Sequence, residues 1–524
     1  MPAVAALLVG AVGAFGWAPH AWWPAALGAY AALAWLLAAA GSPRRGALAG
    51  LAFGLGLHGV GHGWIFEALH AQSGLGLLAA AGSTLLAVAY LAAFGALAST
   101  LWSALRARTG SAPVLQAAAF ASALCLGEWA RSLPFNGFTS LSLGYALVDT
   151  PLAGYAPVAG VYAVSWTGLF AGALAAQAVR AGRIAGWRAG WRTTARCALS
   201  AALVAGGGAL AGGIAWTRPA GEPIGFRLLQ TGVAQHDKFE PQRAARDARA
   251  LAGRIALRRA DLIVTPETAF ASFLNDLPSD VLPALAAFAD RSASHVLLGV
   301  IAGGSAGARN SVVQLAPAAH RSGAGLARYD KVRLMPFGEY TPLGFGWFSA
   351  ALDIPFKDLD AGSDGQAPFR VGRAQVGTLV CHEDLVGADA RRWASTAGLL
   401  VNPSNLAWFD GTWAIEQRLQ IVRMRALEVG RPILRATNSG VTALIDAHGR
   451  VAARLDGSGA GELDGSVRPE EGLTPYARAG DAPVLAACAL ALALAAWCRR
   501  RDARDARAAH SSSSSTRTRP AIDW

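Results

Sequence analysis

The sequence predicts a polytopic helical membrane domain of about eight spans joined to a layered α/β domain outside the membrane. Three observations carry that expectation. The 524 residues are 53% hydrophobic and only 15% charged, with a mean hydropathy of +0.34, too apolar for an ordinary soluble enzyme of this length. The apolar residues are also unevenly spread: long Ala/Leu/Val/Gly runs fill 1–216, a globular composition fills 217–482, and one more apolar run covers 483–498. Between 224 and 465, short β-prone runs alternate with helix-like stretches, the pattern of a layered α/β fold.

Candidate spans fall at about 3–18, 21–40, 46–66, 77–103, 112–130, 160–179, 197–216 and 483–498. A spanning helix needs about 20 apolar residues, so the first and last are short. A signal peptide is the alternative for the first, but "MPAVAALL" lacks a basic n-region and more spans follow. Arginine placement then orients the chain. Arg44 and Arg45 follow the second span, and Arg106 and Arg108 follow the fourth. Arg180, Arg183, Arg188, Arg192 and Arg196 separate the sixth and seventh, and Arg499, Arg500 and Arg501 follow the eighth. With eight spans every arginine-rich segment lies on one side, which places both termini in the cytoplasm and the globular domain outside.

These arginines and the tail account for most of the net charge of +12. No basic stripe interleaved with aromatics marks the globular part, so a nucleic-acid partner is not expected. The tail from 499 to 524 is low in complexity and reads as disordered. Cys125, Cys197, Cys488 and Cys498 lie in or beside apolar runs, where a thiol acts as a small hydrophobe. The globular part keeps only Cys381, so it forms no internal disulfide, and no Cys/His spacing suggests a metal or other cofactor.

Strands are expected at "IGFRLLQ" (224–230), "DLIVTPE" (261–267), "HVLLGVIAG", "NSVVQLAP", "VGTLVCHE", "AGLLVNPSN", "PILRATNSG" and "TALIDAHG", with helices at "PQRAARDARALAGRIALRRA" and "LPALAAFADRSA". Several strands end on polar residues: Glu267, Cys381 and Asn402. Strand ends are where chemistry gathers in layered folds. A cysteine nucleophile needs a base to take its proton, because a free thiol of pKa about 8.5 supplies little thiolate at neutral pH. A glutamate serves as that base, and a lysine ammonium stabilises the oxyanion formed on a carbonyl. Glu267, Lys331 and Cys381 would fill these roles. The residues alone leave plainer readings open: a strand-end acid facing water, a surface lysine and a small buried thiol.

The motifs "VTPETAF", "YDKVRLMPFGEY", "VCHED" and "NPSNLAWF" resemble the Glu-Lys-Cys signature of the nitrilase superfamily. The stretches "RLQIVRMRALEVGRPILRATNSGVTALIDAHGR", "GLTPYARAGD", "GHGWIFEALH" and "GEWARSLPFNGF" resemble its membrane-embedded branch, the apolipoprotein N-acyltransferase family. That resemblance covers nearly the whole chain except the tail. It implies an αββα catalytic domain at 217–482, facing the periplasm of a bacterial inner membrane, and no cofactor. It also implies a monomer that moves an acyl chain from a phospholipid donor onto its cysteine, then to the α-amino group of a diacylglyceryl lipoprotein.

Carried over motif by motif, Glu267 is the general base, Lys331 the oxyanion stabiliser and Cys381 the nucleophile. Glu339 and Glu383 match family acids that hold the lysine and the site geometry, and Asn310 and Asn405 match polar positions near the pocket. Two departures stand out. His382 follows the cysteine where the family often has Tyr, and Phe239 stands where it often has Trp. His382 is considered as a second base, against which stands the alternation of side chains along a strand. The segment "LGFGWFSAALDIPF" (343–356) reads as either a mobile lid dipping into the interface or a packed insertion.

Other polar groups lie among the spans. His58 and His62, one turn apart, have no third ligand in view and are read as packing rather than metal ligands. Glu128 and Arg131, near the outer end of the fifth span, are candidates for contact with a head group or the lipoprotein, with a mutual ion pair as the plainer alternative. A membrane-anchored amidase or hydrolase is the competing enzymatic reading. A lipid-binding or transport scaffold with a decayed domain is the non-enzymatic one.

Overall fold

Every segment expected to span coincides with a helix in the computed structural model, which describes residues 2–106, 113–238, 240–303, 307–321, 326–352, 354 and 357–515. Among the described residues, four helices are long and apolar enough to cross a membrane: Leu77–Leu105, Pro151–Arg183, Gly190–Gly212 and Ala482–Arg501. Pro2–Gly16 and Trp23–Ala39 are apolar but shorter. Helical residues follow one another from Ala156 to Gly212. A straight helix would set residues 155 and 204 roughly 70 Å apart. Yet the Tyr155 hydroxyl donates to the Val204 carbonyl at 2.9 Å and Thr194 Oγ1 to the Ala178 carbonyl at 3.5 Å, so the run doubles back as two antiparallel segments.

Small residues let these helices approach closely, as expected where lipid supplies no hydrophobic drive between them. A side chain at Gly56 would sit 2.0 Å from the Leu7 carbonyl of the neighbouring helix. The C-terminal helix runs from Ala482 to Ser515, well past the expected end of the span, because "RDARDARAAH" is built of good helix formers. Residues 516–524 of the tail lie outside the described residues, as does Phe239.

The globular part holds two stacked sheets. In the first, Ile224–Gln230, Leu262–Val264 and His295–Ala302 run parallel at the centre. Arg309–Leu315 and Ala327–Asp330 extend it on one side, Gly461–Val467 on the other, all antiparallel, and Phe270–Phe273 joins the end of His295–Ala302. The second sheet runs Phe369–Val371, Ala374–Thr378, Leu399–Ser404, Ile433–Thr437, Thr442–Ile445 and Val451–Leu455. Asn402 lies inside the third of these strands rather than at its end.

The two-residue period of the strands builds the layers. Leu228, Val264 and Leu297 face the second sheet, whereas Leu229, Ile263, Val296 and Leu298 face two outer helices. Those helices, Pro241–Ala256 and Val281–Ser292, answer with Leu251, Ile255, Leu285 and Phe288, each burial stabilising by about 2 kcal/mol. On the far side, helix Ala414–Val429 covers the second sheet with Leu419, Val422 and Ala426. Its opposite face presents Ile421 and Met424 to the membrane helices.

That helix is the main joint between the two parts. Gln417 donates to the Gly61 carbonyl at 3.0 Å and accepts from the Trp64 indole at 3.1 Å. Gln420 accepts from the Ala18 amide at 3.1 Å, and Glu428 from the Val161 amide at 2.7 Å. Thr139 adds a 2.6 Å bond to the Leu385 carbonyl. The turn carrying Cys381 is thereby pressed against the membrane helices.

Candidate active site

Three loops at the ends of strands meet at the site. Glu267 follows Leu262–Val264, Lys331 follows Ala327–Asp330, and Cys381 follows Ala374–Thr378. Gly299 on the neighbouring strand permits the first loop, since a Cβ there would sit 2.0 Å from the Pro266 carbonyl. Cys381 has φ +47°, a left-handed conformation rare for a residue with a side chain and frequent at functional turns.

Lys331 Nζ lies 2.9 Å from Glu267 Oε1 and 2.7 Å from Glu339 Oε2. Asn310 Nδ2 bridges the same two acids, donating to Glu267 at 2.7 Å and to Glu339 at 2.5 Å. The Asn405 backbone amide donates to Glu267 Oε2 at 2.7 Å, and the Cys381 thiol lies near enough to feel the charges of both Glu267 and Lys331. Glu339 closes its own loop by accepting from the Met335 amide at 2.7 Å. The structure therefore brings Glu267, Lys331, Cys381, Asn310, Glu339 and Asn405 together.

Charge follows from this geometry. Burial would raise the Glu267 carboxyl, but Lys331 and the other donors outweigh it and hold the acid below its usual range. Burial would likewise lower Lys331, but Glu267 and Glu339 outweigh it and keep the ammonium charged. The Cys381 thiol is pushed up to about 12, first by burial and then by the Glu267 carboxylate, with Lys331 and Arg418 opposing. At neutral pH the resting site is a protonated thiol beside an ionised acid, the arrangement for proton transfer during attack rather than for a standing thiolate.

Glu383 ties the cysteine turn to the lysine loop. Its Oε2 accepts from the Val380 amide at 2.6 Å, while Oε1 accepts from the Tyr329 hydroxyl at 2.7 Å and the Val332 amide at 2.8 Å. Arg418, which the sequence reading missed, donates to the Cys381 carbonyl at 2.8 Å and pairs with Asp384 at 2.6 Å. Beside the thiol is a narrow, partly open recess. Cys381, His382, Met335 and Phe409 line one part of it, and Trp64, Phe138 and Ser140 from the membrane part line another.

Three expectations need correction. Cys381–Leu385 is a tight 3-10 turn, so strand alternation does not apply and His382 faces the recess. Burial, with Arg418 and Lys331 nearby, drives the His382 imidazole well below its usual pKa, which makes it a poor second base. Glu128 and Arg131 form no mutual ion pair among the described residues and are buried. They grip the 140–143 segment instead: Glu128 accepts from the Leu143 amide at 3.0 Å, and Arg131 donates to the Ser140 carbonyl and Ser142 Oγ, each at 3.2 Å. His58 and His62 bond each other at 3.2 Å, and His62 reaches Ser140 Oγ at 2.9 Å. No group of three potential ligands holds a metal ion among the described residues.

Comparison with known proteins fits both halves. The model of the apolipoprotein N-acyltransferase N-terminal domain matches residues 9–174, and that of the carbon-nitrogen hydrolases matches 230–468. The apolipoprotein N-acyltransferase of Ralstonia nicotianae is 39% identical over 95% of this chain and 93% of its own length. The chain belongs to the apolipoprotein N-acyltransferase family. Its relative in Chromobacterium violaceum, of the same name, is 38% identical over 95% of this chain and 94% of its own. Among solved structures, a CN-hydrolase superfamily protein from Xanthomonas campestris is 16% identical, covering 47% of this chain and 91% of that one at a TM-score of 0.35. In this chain the segments matched by the two models meet at the joint described above.

Proposed function

We propose that this chain transfers a fatty acyl group from a membrane phospholipid, through a thioester on Cys381, to the α-amino group of the S-diacylglyceryl-cysteine that begins a lipoprotein. One observation carries the reading. A protonated thiol stands within electrostatic reach of an ionised glutamate, itself 2.9 Å from a lysine, beside a recess walled partly by membrane-domain aromatics.

Attack by the sulfur on the donor's ester carbonyl forms the C–S bond as Glu267 takes the thiol proton. Negative charge passes from the carboxylate to the carbonyl oxygen, where the Lys331 ammonium stabilises it. The ester C–O bond then breaks, and Glu267 returns its proton to the departing lysophospholipid oxygen. In the second half the neutral amine attacks the thioester, Glu267 accepts a proton from the nitrogen, and the sulfur leaves as the thiol. Glu339 and Asn310 hold Lys331 and Glu267, Asn405 orients Glu267, and Glu383 sets the distance between the cysteine turn and the lysine loop.

In this reading all eight helical segments span an inner membrane, the 217–482 domain faces the periplasm, and the monomer is the working unit. The arginine distribution supports that orientation. Drawing an acyl chain of about fifteen methylenes into water costs roughly 12 kcal/mol, so the site must open at the lipid surface. Leu343 and Trp347 are strongly exposed apolar residues on the loop before helix Gly346–Ser349 and within it, and suit an interfacial lid. Residues 353, 355 and 356 of that segment lie outside the described residues.

The test is the acceptor. Purified protein supplied with phospholipid and a diacylated lipopeptide is expected to yield triacylated peptide. Release of free fatty acid with no triacylated peptide would establish the hydrolase reading instead.

A further inference from the structure

A second lysine lies inside the site and has no part in the mechanism above. Lys238 ends the short helix Gln235–Lys238, and its side chain is buried. Its Nζ donates to Thr268 Oγ1 at 2.7 Å and to the Glu267 backbone carbonyl at 3.2 Å. Thr268 has φ +45°, a conformation that a β-branched residue adopts only when its surroundings impose it. The ammonium bonds both sides of that strained peptide, next to the carboxylate the reaction uses.

Charge balance points the same way. Two acids, the buried Glu267 and the partly buried Glu339, flank the single ammonium of Lys331. One cation cannot neutralise two carboxylates, and the uncompensated charge is costliest at Glu267, which is the buried one. We propose that Lys238 is a positioning residue for acyl transfer, holding the Glu267–Thr268 turn and supplying the second positive charge that this pair of acids requires. The proposal rests on Glu267 and Cys381 acting as assigned above.

The two lysines are poised differently. Lys331 stays charged throughout the working range, whereas burial lowers Lys238 to about 8, with Glu267 and Cys381 opposing the fall. Among the described residues, the groups facing Lys238 include Glu267 and Thr268 from the loop after Leu262–Val264, and Cys381 from the turn after Ala374–Thr378. On its own helix, Asp237 is engaged by Arg243 at 2.9 Å and His236 at 3.3 Å. Because the lysine must be protonated to do both jobs, acylation of Cys381 should decline as pH rises through about 8.

The experiment uses the full-length protein in phospholipid and follows the rate of acyl-adduct formation on Cys381 by mass spectrometry from pH 6 to 10. Lys238→Met is expected to slow adduct formation by about a hundredfold at neutral pH and to abolish the fall near pH 8. Lys238→Arg, which keeps a cation, is expected to recover part of the rate and to move the fall to higher pH. Wild-type rates and an unchanged profile in both variants overturn the proposal, as does a fall near pH 8 that persists in Lys238→Arg. If Lys238→Met does not fold, the wild-type and Lys238→Arg profiles decide alone. Failure of the wild type to acylate Cys381 at any pH would instead sink the functional reading beneath it.

Discussion

Two buried glutamates, each beside a cation, end with opposite charge preferences. Glu267 stays below the usual carboxyl range, whereas Glu428, at the joint with the membrane helices, is raised to about 7. Burial is the largest influence on both, so depth does not distinguish them. What differs is the number of donors. Both Glu267 oxygens are engaged, by Lys331, Asn310 and the Asn405 amide. Glu428 Oε1 accepts from the Val161 amide and Arg425, but Oε2 has no partner among the described residues, and Asp481 adds repulsion. An ion pair alone does not keep a buried acid ionised; a full set of donors does.

The sharpest way to break this comparison is to neutralise each acid. Glu267→Gln is expected to lower Cys381 acylation by about a thousandfold through loss of the base, measured as single-turnover adduct formation. Glu428→Gln should leave that rate within about threefold, because a neutral group there already satisfies the site near neutral pH. Comparable losses in both variants would show that the donor count does not set their roles. Next in size, Glu383→Gln is expected to lower the rate by about tenfold to a hundredfold through slackened loops, with the pH profile unmoved.

Stability against pH sharpens the contrast. A carboxyl raised on folding binds more protons in the folded than in the unfolded state between its two pKa values. Glu428 therefore stabilises most below its unfolded value of 4.5, and that contribution is lost as pH rises through about 7. Glu267, being depressed, contributes stability above 4.5 that is lost as pH falls through its folded value. Thermal unfolding across pH 5 to 8 should show a falling trend that Glu428→Gln removes. The smallest effect is expected at the proposed lid: Trp347→Ser should raise the apparent KM for long-chain donors by about threefold with kcat unchanged.

Much of the fold was legible because its signals are local. Runs such as "HVLLGVIAG" need only a two-residue period and turn residues at their ends, and the corresponding strand, His295–Ala302, lies where that pattern places it. Polar residues closing such runs made Glu267 and Cys381 visible as candidates, and the ordered motifs joined Lys331 to them. What escaped depends on tertiary contact. Lys238 sits in the polar stretch "HDKFE" and is buried where it meets the Glu267 loop. Arg418 reaches the cysteine turn from a distant helix, and no spacing announces it. Glu128 and Arg131 read as candidates for head-group or lipoprotein contact, or for a mutual ion pair, yet the 140–143 segment offers them partners that sequence position cannot reveal.

The most direct test is intact-protein and peptide mass spectrometry of the purified chain equilibrated with phospholipid. A mass increment equal to one fatty acyl group is expected on the peptide carrying Cys381, released by hydroxylamine and absent from Cys381→Ser. An increment on another residue, or none under conditions where triacylated lipopeptide still accumulates, would contradict the thioester route.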